Sequence, residues 1–249
     1  MTAERARTVF GRPVPAWDAL AEADPEFAEA YTSYLEATWD TGVFEPRIRE
    51  LLLLAHDASM TVLDADGIAA RVRRARQEGA SEREVLDVLE MLALISIHSL
   101  TTGLPMLYGA EEFPRPEQAQ GRYWDDFEAR VPGFNGMLAH ALPGVFTAYR
   151  RLGRTLWRPG GLAPKWRELA LVVADLSTTH LYRSGAALHI RAAIRHGATR
   201  EEIAAAIALA VPSGARTLEL GITALTAYAE ESTSGQPDRE QPSSHDPGS

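Results

Sequence analysis

Residues 164–177 read PKWRELALVVADLS, and 118 positions earlier residues 46–59 read PRIRELLLLAHDAS. Extending that register in both directions superposes Pro25–Leu107 on Pro143–Leu225 without a gap. Tyr31 then meets Tyr149, Trp39 meets Trp157, Gly42 meets Gly160, Gly67 meets Gly185, Arg73 meets Arg191 and Gly103 meets Gly221. About 24 of the 83 paired positions are identical. Self-similarity sustained at one fixed offset marks a duplicated structural unit.

Each copy reads as helices. Ile48, Leu51, Leu52 and Ala55, then Leu63, Ile68, Val72 and Ala75, recur at helical spacing, and their counterparts do the same. Pro46 and Pro164 suit a first helical turn, where the missing amide donor is not needed. Gly79 and Gly197 suit a helix end in the left-handed conformation, which glycine enters without a Cβ penalty. Directly after them, Ser81-x-x-Glu84 and Thr199-x-x-Glu202 match the capping box, predicting helices from Ser81 to about Ile97 and from Thr199 to about Val211. No alternating β pattern of useful length occurs, so the expected fold is all-α.

The chain has 249 residues, 25 Lys+Arg against 34 Asp+Glu, a net charge of -9 and no cysteine. The acidic balance opposes nucleic-acid binding, which draws on clustered cations. Without thiols there is no disulfide framework, thiolate metal site or cysteine redox cycle. Lys165 is the single lysine, aligns with Arg47 at a helix start and reads as a surface charge. The N-terminal stretch lacks the apolar core of a secretory signal, and the longest apolar runs, around Leu51–Ala55 and Met91–Ile97, fall short of a membrane span. A soluble cytoplasmic protein without membrane contact is the expectation. No H-E-x-x-H, G-x-S-x-G, Walker loop or G-x-G-x-x-G occurs.

The unit P-[KR]-x-R-E-L, followed by a helix ending A-x-x-x-G-A-[ST]-x-x-E-[IV], resembles the carboxymuconolactone decarboxylase family, whose fold is shared with AhpD-type alkylhydroperoxidases. The resemblance covers both copies and implies an AhpD-like helical fold with two tandem repeats in one chain. Peroxidase members carry C-x-x-C-x-x-x-H before the G-A-[ST] turn. The matching positions here are Tyr182, Gly185 and His189 in the second copy and Asp64, Gly67 and Arg71 in the first. Both cysteine positions are lost twice, so the thiol peroxidase mechanism is excluded, because disulfide exchange needs a thiolate. What remains resembles the decarboxylase branch, implying a lyase that works without metal or organic cofactor on a small carboxylated or lactone-like molecule.

Such chemistry needs a group titrating near neutral pH and a cation for a carboxylate or enolate. Residues equal in both copies economically report the shared fold, which assigns Asp57/Asp175, Arg49/Arg167 and Glu50/Glu168 to structure. Polar residues that differ are free to report specialisation: His98 opposite Arg216, His180 opposite Val62, His189 opposite Arg71. His189 holds the family's histidine position and is the first choice for acid/base work. His98, in an apolar stretch, must find a partner or a ligand. The resemblance also places Glu168 near the active site, giving His189, His98 and Glu168 as catalytic candidates. His180 and Tyr182, at the start of the His189 helix, and Arg167 are the candidates for substrate binding. His196 reads as a helix C-cap, and a metal reading from His189 and His196 has no clear carboxylate partner.

The expected organisation is a first repeat over 16–108, a connecting segment over 109–142, a second repeat over 143–229 and a disordered acidic tail over 230–249. W-D pairs at Trp17-Asp18 and Trp124-Asp125 suggest one helix ahead of each copy. Tyr123, Trp124, Phe127 and Phe134 in the connection read as core or interface packing, or the lining of an apolar pocket. A homo-oligomer acting on a small-molecule substrate is expected. The other reading is a non-catalytic ligand-binding or scaffolding relative that kept the fold.

Overall fold

The computed structural model describes residues 2–234, apart from the side chains of Arg122, Tyr123, Asp126, Thr233 and Ser234. The first part of the chain holds α1 (Thr2–Phe10), α2 (Ala16–Ala23), α3 (Pro25–Trp39), α4 (Pro46–Asp57), α5 (Ala65–Gln77), α6 (Glu82–Leu94) and α7 (His98–Tyr108). The connection holds α8 (Arg122–Glu128) and α9 (Phe134–Ala141). The second part holds α10 (Pro143–Leu156), α11 (Pro164–Asp175), α12 (Arg183–Arg195), α13 (Arg200–Ala208) and α14 (Ala215–Ser234). No strand occurs among the described residues, and α3 to α7 correspond in register to α10 to α14.

The local signals act as their chemistry requires. Pro46 and Pro164 open α4 and α11. Both capping boxes form in full, Ser81 and Thr199 each accepting from the third amide while Glu84 and Glu202 reach back. Gly79 and Gly197 take φ of +90° and +88°. The expected helix from Ser81 to Ile97 is α6 followed by one 3-10 turn, Ile95–Ile97, which redirects the chain into α7. A helix precedes each copy, as the W-D pairs suggested.

α4 and α11 are buried along nearly their whole length and pack on each other at the centre. Leu51, Leu52, Leu53 and Leu54 meet Leu169, Leu171 and Val173 in one core that also takes α6 and α13. A second apolar cluster joins Leu104 of α7, Phe127 of α8, Phe134 and Leu138 of α9 and Leu188 of α12. Phe127 and Phe134 are therefore core residues, while Tyr123 falls outside the described side chains. Two helical runs, Glu82–Tyr108 and Arg200–Ser232, have the length and mean hydropathy of a membrane span, which no single apolar stretch had suggested. Both supply core residues, among them Val88, Leu92, Ile203 and Leu209. α14 continues to Ser234, so residues 230–234 of the expected disordered tail are helical. The remainder of that tail lies outside the described residues.

Candidate functional site

Each central helix ends in the same turn. After α4 the Asp64 amide donates to the Asp57 carbonyl at 3.0 Å, and after α11 the Tyr182 amide donates to the Asp175 carbonyl at 2.8 Å. Both turns hold a leucine in the left-handed region, Leu63 at φ +44° and Leu181 at φ +47°. A non-glycine residue pays conformational strain there, so its recurrence in both copies marks a turn that the surroundings enforce. The turn sets the last residue of the central helix under the first turn of the next one. Gly185 makes that approach possible: a Cβ there would lie 2.2 Å from Asp175 Oδ2.

The copies then diverge. In the first, Arg71 donates through Nη1 to Glu50 at 3.1 Å, through Nε to Asp57 at 3.2 Å and through Nη2 to the Val9 carbonyl at 2.8 Å. His56 adds a contact to Asp57 at 2.8 Å and another to Ser213 Oγ at 2.8 Å. Both carboxylate oxygens of Asp57 are thus paired, one by His56 and the other by Arg71. In the second, the His189 imidazole replaces the guanidinium, and its Nδ1 lies 2.7 Å from Glu168 Oε2. Asp175 is fully buried, yet neither of its carboxylate oxygens has a hydrogen-bond partner. Buried carboxylates are ordinarily partnered, so this one calls for an explanation.

Electrostatics follow from that layout. Burial pushes the Asp175 carboxyl up to about 7, with His189 pulling the other way. Burial alone would lower His189, but the hydrogen bond it donates to Glu168, then the charges of Glu168 and Asp175, raise it above the usual histidine range. With Nδ1 engaged by Glu168, Nε2 is the ring nitrogen left for a ligand.

Across from His189, α7 contributes His98 and Thr101. His98 Nδ1 lies 2.9 Å from His180 Nε2, and each of the two histidines brings its Nε2 to 3.9 Å from Asp175 Oδ1. Tyr182 stacks on His98 with ring centroids 3.9 Å apart and its hydroxyl lies 2.7 Å from Thr101 Oγ1. Burial, reinforced by His180 and His189, lowers His98 to about 3, and burial lowers His180 too, so both imidazoles are neutral at pH 7. His98, Tyr182 and His189 line one cavity, whose far wall is apolar, from Leu94, Phe127 and Leu188.

The expected residues therefore divide. His98, Tyr182 and His189 line this cavity, while Glu168 reaches it through its contact with His189 and His180 through its contact with His98. Arg167 does not: it is buried and donates to the carbonyls of Leu156, Gly160 and Leu162 and to Asp87 Oδ2 at 2.8 Å. Its guanidinium fastens the loop before α11, so it is a structural clamp and not a substrate ligand. The cation at the cavity is Arg130, from the connecting segment, whose buried Nε has no hydrogen-bond partner. Sequence reasoning missed it because the segment has no counterpart in the repeat. Asp175 was assigned to the fold because it equals Asp57; the signal to the contrary was that the arginine opposite Asp57 is a histidine opposite Asp175. His196 caps α12 and Lys165 pairs with Glu202 at 2.8 Å, as their positions suggested.

Comparison with known proteins agrees with the duplication. The sequence profile described as the Carboxymuconolactone decarboxylase family matches twice, over residues 25–96 and 143–227. No curated protein matches the chain. A crystal structure from Burkholderia xenovorans, of a proposed gamma-carboxymuconolactone decarboxylase subunit, is similar at 32% identity and a TM-score of 0.81. The match covers 93% of this chain and 97% of that one.

Proposed function

The chain belongs to the carboxymuconolactone decarboxylase family, and on that premise we propose that it is a lyase for a small carboxylated, lactone-like molecule bound in the cavity of the second repeat. The observation that carries this reading is the His189–Glu168 pair, 2.7 Å apart, with His189 in the wall of a largely apolar cavity. Loss of carbon dioxide breaks a carbon–carbon bond and leaves its electron pair on the ring, delocalised into the lactone carbonyl. Arg130 balances the negative charge that the substrate brings and keeps through that step. His189, protonated through its contact with Glu168, delivers a proton from Nε2 to the carbanion, and Glu168, by accepting from Nδ1, holds the ring in the orientation that this transfer needs. Tyr182, fixed by Thr101, packs against the substrate ring, and the apolar far wall keeps water from the carbanion. The chain acts as an assembly with copies of itself, since α14 leaves Leu225 and Tyr228 exposed.

The test is direct. 4-Carboxymuconolactone is offered to the protein and formation of the enol-lactone is followed by ultraviolet absorbance, with His189→Ala and Glu168→Gln beside the natural sequence. Removing a general acid is expected to cost on the order of a hundredfold or more in kcat. Turnover unchanged in His189→Ala overturns the mechanism, and absence of turnover in the natural sequence overturns this substrate.

A further inference from the structure

We propose that His98, Asp175 and His180 form a three-ligand site for a divalent transition-metal ion. The observation behind it is the orphaned carboxylate: Asp175 is fully buried, both its oxygens lack a hydrogen-bond donor among the described residues, and two imidazole Nε2 atoms lie 3.9 Å from Oδ1. The contact between His98 Nδ1 and His180 Nε2 pairs the two rings with each other, and neither ring reaches Asp175 within hydrogen-bond distance; a bound cation would take the place of that ring–ring contact. The donor atoms lie within 4.8 Å of one another. Zinc asks roughly 2.0–2.2 Å of nitrogen and oxygen donors, so loading the site draws the three side chains closer together.

The first repeat supplies an internal contrast. There the matching carboxylate, Asp57, receives Arg71 at 3.2 Å, and the positions of His180 and His98 hold Val62 and Arg216. Where the protein supplies its own guanidinium, those two positions hold no histidine. Where the matching residue is His189, which turns to Glu168, two imidazoles face the carboxylate instead. Two nitrogens and one carboxylate oxygen suit a first-row divalent ion. Three protein ligands leave at least one coordination position open, the pattern of a catalytic rather than a structural site, and one of the three, His98, lines the cavity. Gly185 is part of the device, since any side chain there would meet Asp175. Tyr182, stacked on His98, fixes the plane of that ligand.

The resemblance to cofactor-free lyases did not anticipate this site, because its ligands come from α7, from the end of α11 and from the turn after it, with no short-spaced motif in sequence. It goes beyond the proton transfer of His189, and its test needs no substrate. The full-length chain is freed of metal with a chelator and titrated with zinc chloride by calorimetry, and separately with cobalt(II) followed by visible absorption. One equivalent per chain is expected, with an affinity reduced at least about a hundredfold in Asp175→Asn and in His180→Ala. His196→Ala, which removes an exposed histidine elsewhere, is expected to bind as the natural sequence does. Should Asp175→Asn not fold, His180→Ala decides, since His180 sits on a partly exposed turn. Binding below one equivalent, or binding indifferent to both substitutions, or lost equally in His196→Ala, overturns the site. Turnover of the chelator-treated protein, measured apart, reports on the His189 mechanism and leaves the two questions separable.

Discussion

Arg71 and His189 occupy the same position of the two repeats, and they differ in reach: Arg71 spans from Glu50 to Asp57, while His189 touches only Glu168. In the first repeat one guanidinium pairs both carboxylates, whereas in the second the imidazole pairs Glu168 and leaves Asp175 without a hydrogen-bond partner among the described residues.

His189→Arg tests that relationship. The new guanidinium is expected to bridge Glu168 and Asp175 as Arg71 bridges Glu50 and Asp57. Pairing a buried, partnerless carboxylate is worth about 1–3 kcal/mol, so the melting temperature should hold or rise while lactone turnover falls below detection. A variant that melts lower by more than a few degrees would show that the second repeat has no room for the first repeat's arrangement.

Asp57 gives a pH signature of the first repeat. Burial opposes its charge, but the hydrogen bond with His56 and the charge of Arg71 outweigh that cost and hold its carboxyl below the usual range. A carboxyl depressed in the native state contributes stability above its unfolded value, about 3.9, and that contribution disappears as pH falls through the native value. At pH 7 the natural sequence should exceed Asp57→Asn by about 1–3 kcal/mol in denaturant unfolding. The gap should narrow below about pH 4. A gap constant from pH 7 to pH 3 would mean that the charge of Asp57 contributes nothing.

Most of the architecture was legible because it rests on local chemistry repeated twice. The prolines before α4 and α11, the glycines at 79 and 197 and the two capping boxes each specify a helix end by themselves, and a second copy at a fixed offset removes chance. The site was legible only where a residue stood out against its counterpart, as His98, His180 and His189 did. Comparing single positions failed for Asp175, because its environment changed while its identity did not; what changed was its partner, 14 residues further along. Arg167 went the other way: its identity with Arg49 had pointed to structure, and the loop carbonyls that saturate its guanidinium agree with that reading and leave nothing for a substrate. Arg130 lies on a segment whose position against the second repeat depends on tertiary packing of α8 and α9, which periodicity does not encode.

Arg130 separates binding from chemistry. Its guanidinium is the cation at the cavity, with a buried Nε awaiting an acceptor. Arg130→Ala should raise KM for a carboxylated lactone by roughly tenfold to a hundredfold, the equivalent of one charge-assisted hydrogen bond. Uncharged lactone esters should lose nothing in affinity from the substitution. A KM unchanged for the acid would remove Arg130 from substrate recognition and leave the apolar wall as the main source of affinity.

Assembly is testable through α14. Gly221, Leu225 and Tyr228 follow one another at spacings of four and three, which places them along one side of that helix. Leu225 and Tyr228 are 61% and 70% exposed, and Met106 and Leu107 at the end of α7, the counterpart helix, are 80% and 71% exposed. Large apolar side chains gathered at matching places in the two repeats are costly to leave in water and mark a surface that a partner covers. A second copy of the chain is the partner that presents the same face. Light scattering after size exclusion should give a mass at least twice 27.2 kDa. Leu225→Glu with Tyr228→Glu should return the monomer mass while thermal unfolding stays cooperative, since neither side chain belongs to the core. A natural sequence that runs as a monomer at micromolar concentration would mean that these residues serve no self-association, and that the cavity of the second repeat is complete within one chain.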